Sequence, residues 1–565
     1  MAIQLMAANI LLMAGPLIAQ VVTPQTDRVT WYLQTEQIAL AKSVMLKSLE
    51  NKTISADQAF NLGKIYLDIQ KNDSALLAFN AIPTMNEEQR LLQLAGQLLV
   101  ELAHGKSTDI SMKIARETKA INSSKSAKVK LQMALVLAQM NETATAWELI
   151  EQACALKTSD ASTFTEAGDI YARLSFVLKQ PELYGKACGR YEQAIYRNKN
   201  YLPARSSLAE AYFKSRNYFE AKTILNETMA IDSSWIPAIR LLGEVHYALG
   251  NYKQASHYYT RYVNLVKPSV DQLQKYTYIL YFNQEYQKAK EILGTLLSSD
   301  PLNAVLLRLY AYTSAETKAS GEGLRAIEQF MKIRQAEDTL RLIPTDYEYY
   351  GRLLSMESYD SLAVIQFEKA IQLDTTKISL FEYTAKSFEK LKNYEKSVSF
   401  YTRAVNANPQ SPSTLWFSRG RNCLLFAETP EVAADSVRKT KYLNLAVESF
   451  SKVAELSPVS HLGFLWKGRA LAALDPETSQ GLAEECYRQS ILLLEAKNAT
   501  EKYKTELLEA YRYMGYLNYL RYDQSVKDKK TEASGFKDKS IEYWNKILTF
   551  DPSNQVALQA LKALK

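Results

Sequence analysis

The sequence predicts an all-α protein, a solenoid of about thirteen stacked helical hairpins closed by a C-terminal capping helix. Three observations carry that prediction. At 565 residues the chain runs well past the ~250 to 300 at which a single core stops growing, so it holds several domains or an array whose length is not limited in that way. Only 19 Gly and 15 Pro leave too few turns for the many strands of a sandwich or barrel. Third, a small residue recurs in register at Gly63, Gly96, Ala134, Gly168, Ala209, Gly243, Thr277, Ala311, Gly351, Ala385, Gly420, Gly468 and Gly515. Five of those steps are 34 residues, one is 33 and one 35; the longer ones mark insertions.

Each small residue is followed by a second signature, Ala or Ser with a large residue four positions on. It reads Ala75/Phe79, Ala146/Ile150, Ala187/Tyr191, Ala221/Leu225, Ala255/Tyr259, Ala289/Leu293, Ala326/Phe330, Ala363/Phe367, Ser397/Tyr401, Ala446/Phe450, Ala483/Tyr487 and Ser540/Trp544, with no clean version in the second unit. The spacing has a physical reason. A small residue on a first helix lets the second helix cross closely, and the large residue, one turn along on the same face, fills the gap between hairpins. One hairpin cannot bury both faces alone, so neighbours must stack. Pro301, Pro409, Pro458 and Pro552 close units where a helix cannot continue.

The pattern is clearest in LLGEVHYALGNYKQASHYYTRYV and KYTYILYFNQEYQKAKEILGTLLSSDP, within 236–303. With its turn tyrosines Tyr218, Tyr252, Tyr286 and Tyr394, it resembles the tetratricopeptide repeat (TPR). That resemblance, and within it one to exported bacterial envelope scaffolds, implies a right-handed superhelix whose first helices line a concave face where protein or peptide partners bind. It implies no enzyme activity and no cofactor. On that face the candidates are Glu210 and Phe213; Arg240, Glu244 and Tyr247; Tyr278 and Tyr281; Arg308 and Tyr312; Arg352; Lys386; and Phe417 with Arg421, since residues three, four and seven apart share one side of a helix. The Lys, Asn and Arg clamp by which some family members grip chaperone tails is absent, because Ser206, Gln274 and Glu382 stand where it would lie.

The expected organisation is a signal peptide at 1–19, an N-terminal helical segment at 20–55, a regular array at 56–411, and an array with long insertions ending in the capping helix at 412–565. Insertions at Lys179–Gly185, Ser320–Gly323, Thr429–Leu443, Asp475–Gly481 and Tyr522–Lys539 lengthen helices or loops, three of them in the last third. Gln555 onward, QVALQALKALK, covers the last seam.

Composition narrows the function. A net charge of +7 spread along 68 basic and 61 acidic residues lacks the basic patch of a nucleic-acid binder. Lys527, Lys529 and Lys530 alternate with acids and read as a solvated face. Cys154, Cys188, Cys423 and Cys486 are too scattered for zinc or redox motifs. Of the four histidines, His246 stands at a packing position, and no hydrolase, metalloprotease or P-loop motif is present. No catalytic residue, metal or small-molecule substrate is expected.

The first 25 residues carry no charge, and the apolar run Ile3–Ala19, broken at Gly15 and Pro16, resembles a secretory signal peptide cut near Ala19 and Gln20. A retained anchor in a membrane-associated complex, or a buried first helix of a cytoplasmic regulator of an enzyme or transcription factor, are the alternatives. Five Asp-Ser/Thr triplets, at Asp73, Asp338, Asp360, Asp374 and Asp435, resemble O-glycosylation acceptors of some bacterial envelopes and add to the expectation of export.

Overall fold

A computed structural model describes residues 27–105, 108–336, 341–408, 410–496, 501–528 and 532–565. The apolar run at 3–19, the expected cleavage point, Asp338, Pro409, Lys529 and Lys530 lie outside the described residues. Within them are thirty helices and no strand. From Ala56 they pair as thirteen hairpins, beginning with Ala56–Asp68 and Asn72–Asn80 and ending with Lys504–Lys527 and Ala533–Phe550. The expected count and register stand.

The packing follows from the small and large positions. Phe79 is fully buried, and its ring occupies the space that a Cβ on either Gly63 or Gly96 would take, at 2.4 and 2.3 Å. One ring thus joins its own first helix to the next hairpin's first helix. Burying a side chain of that size contributes roughly 1.5 to 3 kcal/mol. Tyr191, Phe367, Phe450 and Trp544 stand against Gly168, Gly351, Gly420 and Gly515 in the same way.

The turn inside a hairpin also repeats. Seven residues after the small residue the backbone becomes left-handed, at Gln70, Asn141, Arg216, Gln284, Lys318, Ser358 and Lys392 (φ 56° to 65°), and at Gly250 (φ 75°). The Arg216 N–H donates to Phe213 O at 3.0 Å and the Asn217 N–H to Tyr212 O at 2.9 Å. This is the paired bonding by which a left-handed residue satisfies the last carbonyls of a helix.

That register exposes a unit the small-residue pattern does not reveal. Helices Arg28–Gln34 and Ile38–Glu50 flank Glu36, left-handed at φ 60°. Ala41 and Met45, five and nine residues on, are fully buried, at the spacing of Ala221 and Leu225 after Arg216. The segment expected only as helical therefore holds a hairpin of the same design. In the second unit, which lacks the clean signature, Ile110 and Ile114 fill the same positions after left-handed Gly105.

The chain divides into two compact units, the first ending at Leu293 and the second beginning at Gly294. In the second unit one core runs from Leu354 to Ala470, continuous across residue 412. Its later helices are long, with 21 residues in Ser436–Leu456 and 24 in Lys504–Lys527. Helix Gln555–Ala563 follows Ala533–Phe550, with Ala557 and Leu564 in the terminal core. All four cysteines are free thiols. No described helix is long and apolar enough to cross a membrane.

Candidate functional site

In the first unit the first-helix side chains leave open space. A cavity of about 850 Å³ is lined by Asp169, Arg173, Tyr184, Ser207, Glu210 and Lys214, among others. Asp169 and Arg173 continue into a second cavity of about 330 Å³, with Gln34, Lys64, Glu166 and Tyr201 on its walls. Tyr184 comes from the start of helix Leu183–Arg197, so the insertion before that helix supplies one wall.

The electrostatics are set by close opposite charges. Asp169 is exposed on the cavity, yet the surrounding protein desolvates its carboxyl, which raises its pKa to about 6 against the hydrogen bonds it accepts from Tyr191 (2.8 Å) and Ser207 (3.3 Å). Burial also works against the charge on Glu210, but Arg240 and Lys214 outweigh it and hold that carboxyl below its usual range. Desolvation opposes charge on Arg240 as well. Glu36, Glu244 and Glu210, at 2.8, 3.0 and 3.3 Å, more than offset this and raise its pKa. Lys275 of the next repeat reaches Glu244 at 3.2 Å.

The aromatic candidates of this unit form half-buried contacts. Phe213 packs on Tyr218 with ring centroids 5.6 Å apart, Tyr247 touches Tyr252 and Phe282, and Tyr281 touches Phe282 and Tyr286. Tyr278 is half-buried on the same face.

In the second unit the candidates are taken up by their neighbours. Tyr312 is only 6% exposed, stacks on Tyr349 at 4.3 Å and donates its hydroxyl to fully buried Asp346 at 2.6 Å. It lies in the core. Arg308 pairs with the same Asp346 at 2.8 Å. Arg352 reaches back to Glu316 at 2.8 Å, and Arg421 to Glu389 at 2.7 Å, each in the preceding repeat. Lys386 pairs with Glu382 on its own helix, and Phe417 packs edge-on against Phe450 and Trp466. Arg308, Arg352 and Arg421 form a ladder that ties repeats together.

One register, the residue after the small one, bears on the contrast. After Lys64, Gln97 and Leu135 in the first three repeats it reads Asp169, Glu210 and Glu244, then Tyr278 and Tyr312, then Arg352, Lys386, Arg421 and Arg469, and last Tyr516. Asp169 and Arg173 follow Gly168 by one and five residues, as Glu210 and Lys214 follow Ala209. The same signal, carried one repeat earlier than the central block, would have found the cavity. Among the described residues, no group of three or more His, Cys, Asp or Glu is placed to hold a metal.

Residues 385–411 match the family model described as tetratricopeptide repeat. Among solved structures, the chain is similar to the C-terminal part of a TPR repeat-containing protein from Cytophaga hutchinsonii. Identity is 27%, over 51% of this chain and 99% of that one, with a TM-score of 0.39. A tetratricopeptide repeat protein from Parabacteroides merdae gives 15%, 47%, 100% and 0.30. YrrB, described as a TPR protein with an unusual peptide-binding site, gives 13%, 36%, 95% and 0.28. No curated protein matches the chain. The matched repeat, and its register carried through thirteen hairpins, make this a tetratricopeptide-repeat protein. The fold is that of a protein–protein interaction scaffold, and such scaffolds bind protein or peptide partners.

Proposed function

We propose that this protein is a non-enzymatic scaffold of the cell envelope that organises a multiprotein assembly, and that it binds a partner segment in the first-helix groove between Lys64 and Lys214. The observation that carries the binding half is the open cavity where the polar groups of Asp169, Arg173, Tyr184, Glu210 and Lys214 converge on a lining that also includes Ala172, Val177 and Ala211. A groove with both signs of charge and an aromatic wall suits an extended peptide or a partner helix, because Tyr and Arg offer large contact area together with hydrogen bonds.

The export half is supported by the uncharged apolar run at 3–19. A photoreactive residue in place of Tyr184, in the native cell, should crosslink to a partner protein, and the mature chain should begin near Gln20. A chain recovered intact from the cytoplasm would overturn export. An uncrosslinked Tyr184 position in a folded chain would overturn the binding surface.

A further inference from the structure

The turn of the first hairpin behaves unlike the left-handed turns that follow a small residue by seven. Gln70, Asn141, Arg216, Gln284, Ser358 and Lys392 all stand in solvent at the left-handed position. Glu36, at that position, is only 23% exposed along its side chain, and its neighbours Thr35 and Gln37 are buried at 1% and 5%. The cause is contact far along the chain. Both carboxylate oxygens of Glu36 accept from the Arg240 Nε, at 2.8 and 2.9 Å, across 204 residues. Gln34 reaches Tyr201 at 3.5 Å. The Tyr262 hydroxyl lies close enough that Glu36, after burial, contributes to raising its pKa. Val29 and Tyr32 of the same hairpin join one core with Leu208 and Ala211.

Arg240 sits on a first-helix face, three residues before Gly243 and next to Glu210 and Glu244. The Leu33–Gln37 turn thus occupies the surface on which a partner segment would lie. Arg240 keeps Glu210 and Glu244 when Glu36 is removed, so the Glu36 contact is the part of this cluster that can be exchanged without leaving a buried cation unpaired.

We propose that the Leu33–Gln37 turn is an intramolecular occupant of the partner site, and that the partner it excludes is an acidic peptide segment that places a carboxylate on Arg240. This rests on the reading of the first-helix face as the binding surface. A carboxylate on a guanidinium in a half-buried groove forms a strong, directional pair. Exchange of one carboxylate for another conserves that pair, so displacement costs only the seating of the turn.

The test uses the full chain with Glu36→Ala and a fluorescein-labelled peptide of residues 28–41, in its natural sequence and with the glutamate changed to alanine. Hydrogen exchange of amides 33–41 should rise in the variant. The natural peptide should bind the Glu36→Ala chain at least about tenfold more tightly than the unsubstituted chain, and the alanine peptide should lose about tenfold or more on the variant. Three results would overturn the proposal: unchanged amide protection with no binding, opening without binding, or equal binding of both peptides. If the peptide results hold while Tyr184 crosslinks no partner, the scaffold reading fails and the occupied site remains. If Tyr184 crosslinks and the peptides do not discriminate, the scaffold reading survives without the occupant.

Discussion

The two units are built from one repeat, yet they use its first-helix face in opposite ways. In the first unit the residue after the small position is Lys64, Gln97 and Leu135 and then becomes acidic at Asp169, Glu210 and Glu244, where the face encloses a cavity and receives the chain's own first turn. In the second unit that position is basic at Arg352, Lys386, Arg421 and Arg469. Three of those cations bond a carboxylate of an adjacent repeat, at 2.8, 2.7 and 2.6 Å, and Lys386 bonds its own helix. The repeat therefore fixes where side chains point, while the residue one place on decides whether a face serves cohesion or remains open to a partner.

The contrast can be broken most forcefully through the cores. Phe79→Ala removes the ring that joins two hairpins of the first unit and should cost roughly 3 to 5 kcal/mol. In a stack held by nearest neighbours, hydrogen exchange should rise around 56–103 while 413–456 keeps its protection; uniform loss would mean the two units do not behave separately. Asp346→Ala is the counterpart in the second unit. It removes the buried carboxylate that Arg308 and the Tyr312 hydroxyl share and should cost about 3 kcal/mol, read by denaturant unfolding with the first unit's protection unchanged.

pH separates the units with less force. The folded pKa of Asp169, about 6, lies above that of a carboxyl in the unfolded chain, so its favourable contribution is full below pH ~4 and is lost as pH rises through 6. Glu316 runs the other way. Burial opposes its charge, but Arg352 and Tyr349 lower its pKa, so its contribution is present above its unfolded value and lost as pH falls. Asp169→Asn should raise the melting temperature at pH 7 and leave it nearly unchanged at pH 4. An equal shift at both values would show that the cavity wall does not set this carboxyl.

The smallest effect tests what the units share. Arg216→Gly and Lys392→Gly relieve a left-handed non-glycine turn, and each should gain on the order of 0.5 kcal/mol, the strain relieved exceeding the backbone entropy added. Equal gains would establish the turn as a common element, and a loss at either would mean its side chain carries a contact that matters.

Most of the fold was legible because its constraint is local. A small residue and a ring four positions past an alanine must meet for the hairpin to close, so spacing alone locates thirteen hairpins. The first hairpin escaped because Val29 stands where a glycine or alanine would have signalled it, and Ile110 stands where the alanine of the hairpin at 87–123 would have done so. The site was legible only as a face. Arg352 is 36 residues from Glu316, Arg421 is 32 from Glu389, and Arg240 is 204 from Glu36. Whether a cation is paired depends on how neighbouring repeats are rotated, which spacing within one helix does not encode. Register puts Tyr312 on a first helix, and Asp346 and Tyr349 draw it into the core.

Lys214 and Lys390 provide a matched comparison. Each lies five residues after its small residue, Ala209 or Ala385, and their side chains are 53% and 50% exposed. A photoreactive residue placed at each position in turn, in the native cell, reads the difference between the units directly. Partner crosslinks from position 214 and none from position 390 are the expected result. Crosslinks from 390 alone would contradict the assignment of the binding surface to the first unit.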